Sequence, residues 1–97
     1  MLHTVNNSPL GSPSLQSALR VAALGDPLLL LEDGVYAARA GTRAEALVKS
    51  ALASHPVYAL GPDLQARGID RIIEGIQVID YDGFVQLVEQ HSVVPWL

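Results

Sequence analysis

Short apolar runs alternate along the chain with stretches whose apolar residues recur every three or four positions, and a turn residue stands at nearly every junction. Leu2 to Val5 reads as an opening strand, followed by the loop Asn7-Ser8-Pro9-Leu10-Gly11. Ser12 then offers an N-cap, with Pro13 at the first helical position, where its missing N–H costs nothing. Leu15, Ala18, Leu19 and Ala22 follow at the spacing of one helix face, and Gly25 closes the helix as a left-handed cap. Leu28 to Leu31 is apolar without alternation, as befits a central strand covered on both faces.

Asp33 is placed to cap the short stretch Val35 to Ala40, which Gly41 breaks. Thr42 and Glu45 have the spacing of a capping box. The helix it starts carries Ala44, Leu47, Val48, Ala51 and Leu52 on one side and stops at His55-Pro56. Val57 to Leu60 is a third strand, and Gly61-Pro62-Asp63 turns into a short helix ending at Gly68. Ile76 to Ile79 is a fourth strand, with Ile72 and Ile73 unassigned. Asp82 is placed to cap a last helix in which Phe84, Leu87, Val88 and His91 share a face. The tail is Ser92-Val93-Val94-Pro95-Trp96-Leu97.

The resulting β-α-β-α-β-α-β-α order predicts one domain over residues 1–97. Its fold class is α/β, a small doubly wound parallel sheet of four to five strands with helices on both faces. At 97 residues there is room for one core.

Composition sharpens this picture. Apolar residues make up 49% of the chain and charged ones only 16%, against about 25% in ordinary soluble domains. A small domain needs more polar cover than a large one, so apolar surface is expected to remain for a partner. The net charge is −4, and Arg20, Arg39, Arg43, Lys49, Arg67 and Arg71 are scattered along the chain. Direct nucleic-acid binding, which needs a clustered basic face, is therefore not expected. No apolar run approaches the roughly 18 residues of a membrane span, and the start lacks the pattern of a signal peptide, so a cytoplasmic location is expected. There is no cysteine. Disulfides, zinc–thiolate sites and thiol nucleophiles are thereby excluded.

Other chemistry is sparse. The loop N-N-S-P-L-G-S after the first strand matches neither dinucleotide- nor phosphate-binding glycine patterns, and reads as an ordinary connection. His3, His55 and His91 each lack a recognisable nucleophile, and structural or solvent roles are expected of them. Asp80 and Asp82 flank Tyr81 at a strand end, where a cation could sit but where helix capping is the commoner use. No catalytic, cofactor-binding or metal-binding residue is assigned, and no cofactor is expected. The apolar tail with the single tryptophan, Trp96, either folds back on its own core or docks on another chain. Val94, Trp96 and Leu97 are the candidate interface residues.

Four segments in this order carry a family likeness: M-L-H-T-V at the start, L-L-L-L-E-D-G-V at Leu28 to Val35, V-Y-A-L-G-P-D-L-Q-A-R-G at Val57 to Gly68, and V-I-D-Y-D-G-F-V at Val78 to Val85. Together they resemble the TusB/DsrH family of sulfur-relay subunits nearly end to end. The resemblance implies a DsrE/DsrF/DsrH-like fold. It further implies a heterohexamer with two sibling subunits of the same fold (TusC- and TusD-like), served by sulfur-carrier proteins. That complex relays persulfide sulfur towards 2-thiolation of the tRNA wobble uridine. In the related sulfur-oxidation system the corresponding subunit can carry a cysteine in its N-terminal part. Because this chain has none, a non-catalytic role of the tRNA-thiolation type is expected, ahead of a sulfur-oxidation subunit or a stand-alone α/β ligand-binding domain.

Overall fold

A computed structural model describes residues 1–97. Five parallel strands form one sheet in the order β4-β3-β2-β1-β5: β1 Leu2–Val5, β2 Leu28–Leu30, β3 Val57–Leu60, β4 Gln77–Ile79 and β5 Val93–Trp96. The helices are α1 Ser14–Val21, α2 Glu45–Leu52, α3 Gly61–Ala66 and α4 Tyr81–Gln90, with a 3₁₀ helix at Glu32–Ala38 between β2 and α2.

Crossover handedness sets the layering. Each step from β1 to β4 moves one place towards the same edge, so right-handed crossovers put α1, the 3₁₀ helix, α2 and α3 on one face. The step from β4 to β5 runs back past β1 in the opposite sense, which places α4 alone on the other face. Packing follows the same division. Val5, Leu28, Leu30, Val57 and Ala59 join Leu15, Val48 and Leu64 in a 14-residue core. Leu2 and Leu29 meet Leu87 of α4 in a core of three, flanked by Leu31, Tyr58, Ile79 and Phe84. The unbroken leucine run of β2 thus feeds both layers, since alternate side chains point to opposite faces.

Several local expectations are corrected. The tail, left undecided by the sequence, is β5, paired in parallel with β1 from Leu2↔Val93 to Val5↔Trp96. Gly25 does take a left-handed φ of 87°, but it lies beyond the end of α1, in a turn closed by Asp26 N–H to Ala23 O at 2.9 Å. Asp33 caps nothing: the 3₁₀ helix has no side-chain cap, and Asp33 pairs with Arg67 at 3.0 Å. The Thr42–Glu45 box is displaced by one residue. Thr42 Oγ1 accepts from Ala44 N–H at 3.2 Å, and Glu45 reaches back to Gly41 N–H at 3.0 Å. The Gly41 N–H foremost, and then Lys49, hold the Glu45 carboxyl below its usual range. Asp80, not Asp82, caps α4, accepting from Gly83 N–H at 2.9 Å. Ile72 bridges Arg39 in antiparallel fashion, and Ile73 is buried.

One glycine is dictated by close approach. A Cβ on Gly34 would lie 1.9 Å from the Val5 carbonyl oxygen. Gly34 N–H donates to Asn6 O at 3.0 Å, which locks the 3₁₀ helix onto the end of β1. No helix is long and apolar enough to cross a membrane.

Candidate interaction surfaces

The tail and the start of the chain meet in a buried polar relay. The indole N–H of Trp96 donates to His3 Nδ1 at 3.1 Å, and His3 Nε2 lies 3.0 Å from Asp26 Oδ2. An indole nitrogen can only donate, so Nδ1 must accept, and Nε2 carries the proton that goes to the carboxylate. Asp26 also takes the N-terminal ammonium at 3.1 Å and the Ala23 N–H at 2.9 Å. These donors, His3 foremost, hold its carboxyl well below the usual carboxylate range. Buried His55 donates from Nδ1 to the Asp26 carbonyl at 2.9 Å. Both histidines are therefore engaged in holding the strand N-termini together, and His91 sits just past the end of α4.

Of the candidate interface residues, Trp96 and Val94 are half-buried on β5, Trp96 packing against the larger core, while Leu97 is 85% exposed. Leu2 N–H donates to Ser92 O. Bonding positions alternate along a strand, so Val94 and Trp96 also face β1 while Val93 and Pro95 face the open edge. Proline there removes a donor from that edge, which discourages strand addition.

A broader apolar surface lies on α4. Phe84 and Leu87 turn inward. Tyr81, Val85 and Val88 recur at i, i+4 and i+7 on an adjacent stripe, about 100° around the helix, and are 58%, 52% and 41% exposed. An open depression of ≈ 260 Å³ runs along Phe84, Val85, Val88 and Glu89. The apolar arc of α4 is wider than the sheet can cover with one helix.

At the strand C-terminal ends, Asn6 Nδ2 donates to Glu32 at 3.1 Å, and Glu32 N–H donates to Asp63 at 2.6 Å. These bonds hold Glu32 at a φ of 50°, an uncommon conformation for a residue with a side chain. Arg67 joins the group through Asp33 and the Asp63 carbonyl. In the β1–α1 loop, Asn7, Ser12 and Ser14 bond to one another. The polar groups of this crevice largely satisfy each other.

Three of the five arginines, scattered in sequence, come together in space. Arg39, Arg43 and Arg71 border one groove. The antiparallel bridge between Arg39 and Ile72, with Ala40 N–H to Arg71 O at 2.8 Å, brings two of them together. A bridge this short leaves no periodic signature, so the sequence pattern missed it.

The fold is a doubly wound α/β domain whose lone back-face helix keeps an exposed apolar stripe, the kind of surface that marks an interaction site. The chain belongs to the DsrH-like family, whose description, DsrH like protein, it matches over residues 7–94. It is 44% identical to Protein TusB of Serratia proteamaculans, across 99% of this chain and 100% of that one. It is 45% identical to Protein TusB of Escherichia coli O1:K1, across 95% of each. A Methanobacterium thermoautotrophicum protein of unknown function has the same fold, with a TM-score of 0.75 at 17% identity over 97% of this chain and 95% of that one.

Proposed function

We propose that this chain is a non-catalytic subunit of a heteromeric sulfur-transfer complex that relays persulfide sulfur for 2-thiolation of the tRNA wobble uridine. Its kinship with proteins called TusB supports the pathway. The observation that carries the role is the exposed Tyr81-Val85-Val88 stripe on a helix already anchored by Phe84 and Leu87.

The chemistry assigns the sulfur to other chains. In such a relay an acceptor thiolate attacks the outer sulfur of a donor persulfide. One S–S bond forms, another breaks, and the donor leaves as a thiolate with no net redox change. Every station needs a thiol, and this chain has no cysteine. Its contribution is surface: two siblings of the same fold, TusC- and TusD-like, complete a cytoplasmic heterohexamer with it, and the carrier proteins dock on the whole.

Co-expression with the two siblings tests this. The wild-type chain is expected to co-purify as a complex whose mass counts all three subunits. Val85→Asp with Val88→Asp is expected to abolish co-purification while changing the chain's own stability by no more than about 1 kcal/mol, since single surface substitutions usually stay within about 0.5 kcal/mol each. A wild-type chain that stays monomeric beside its siblings would refute the subunit role. A double variant that still assembles would refute the α4 interface.

A further inference from the structure

We propose that the groove between the β1–α1 loop and the start of α2 binds an acidic, apolar-anchored peptide segment of a partner protein. The groove has two halves joined at Arg43. In one half, Pro9, Leu15 and Leu47 wall a pocket of ≈ 210 Å³, with Ser12 and Gln16 at its margin. In the other, Arg39, Arg43 and Arg71 border an open depression of ≈ 660 Å³.

Charge decides the ligand class. The chain carries ten acidic and six basic side chains, yet only Arg67 and Lys49 among the basic ones hold a carboxylate. Arg39 and Arg71 are exposed and make no side-chain hydrogen bond. Arg43 spends one donor on the Leu10 carbonyl, which fixes it between the halves. Glu45 is the acidic neighbour nearest in effect, and its carboxylate is taken by Gly41 N–H and Lys49. Asp70 and Glu74 flank Arg71 in sequence without bonding to it. Three guanidiniums that border one depression, none of them bridged to a carboxylate, form a locus for carboxylates.

The neighbouring pocket separates a peptide from a nucleic acid. Neither half contains an aromatic side chain, so bases have no surface to stack on. The net charge of −4 repels a long polyanion more than a short acidic segment, whose few carboxylates can stay beside the three arginines. An aliphatic side chain followed by two or three carboxylates fills both halves. This assignment does not rest on the sulfur-relay reading, because the groove lies on the α1–α2 face of the sheet, opposite α4.

The test is fluorescence anisotropy of the full chain. The probe is a labelled heptapeptide, Gly-Ser-Leu-Asp-Asp-Asp-Gly, compared with a peptide carrying Ser for Leu, a peptide carrying Asn for each Asp, and an oligouridylate of equal charge. Saturable, salt-sensitive binding of the probe is expected. It is expected to weaken about tenfold in Arg39→Gln/Arg71→Gln and with the Asn peptide, and several-fold with the Ser peptide. The circular dichroism spectrum checks that the double variant folds, and the peptide series reads the same point on the wild-type chain. Absence of probe binding, indifference to the arginines or the aspartates, or equal affinity for the oligouridylate would overturn the proposal.

Discussion

Replacing Trp96 by phenylalanine isolates one bond that ties the two ends of the chain together. Phenylalanine keeps most of the apolar contact on the larger core but removes the N–H that reaches His3 Nδ1. His3 is 1% exposed, so water has no ready route to the orphaned acceptor. An unsatisfied buried polar atom costs about 1–3 kcal/mol. Taking about 2 kcal/mol, the thermal midpoint is expected to fall by roughly 8–16 °C for a domain of this size. The urea midpoint is expected to fall by about 1 M, given the slopes typical of small proteins. Circular dichroism is the appropriate signal, because Trp96 is the sole tryptophan and its loss removes the tryptophan fluorescence. Leu97→Ala, at an exposed position, serves as the control and is expected to stay within about 0.5 kcal/mol of wild type. A Trp96→Phe variant as stable as that control would show that the tail is not held by this bond and would refute the reasoning.

Gly34→Ala is expected to cost about 3 kcal/mol or more, since the new methyl would overlap the Val5 carbonyl and β1 or the 3₁₀ helix must shift; loss of soluble folded protein or a thermal midpoint lower by at least about 12 °C is the readout. Asp26→Asn bears on acid stability. The folded carboxyl titrates below its ordinary value, so the stabilisation it gives is complete above pH 3.8 and is lost as pH falls beneath it. Urea midpoints between pH 6 and pH 2 are therefore expected to fall more steeply for wild type than for Asp26→Asn, and parallel slopes would contradict the relay. Asp80→Ala is expected to cost about 1 kcal/mol through loss of the α4 cap, while Asp82→Ala costs less than half as much.

Local patterns determined much of this molecule. The alternation of apolar runs and helical spacing, with glycine and proline between them, is enough to predict a doubly wound parallel sheet, because the 2.0 and 3.6 periods are imposed by backbone geometry alone. The leucine run at Leu28 marks a strand buried on both faces, and the absence of cysteine alone excludes thiol chemistry. Pairings between distant segments were decided only by the tertiary structure. Whether Val93–Trp96 becomes β5 depends on a free position beside β1 and on His3 meeting an indole 93 residues away. Whether Asp80 or Asp82 caps α4 depends on where β4 stops. The convergence of Arg39 with Arg71 rests on a single bridge. Side-chain periodicity records which way each residue points from its own element, and it carries no information about which elements will lie next to one another.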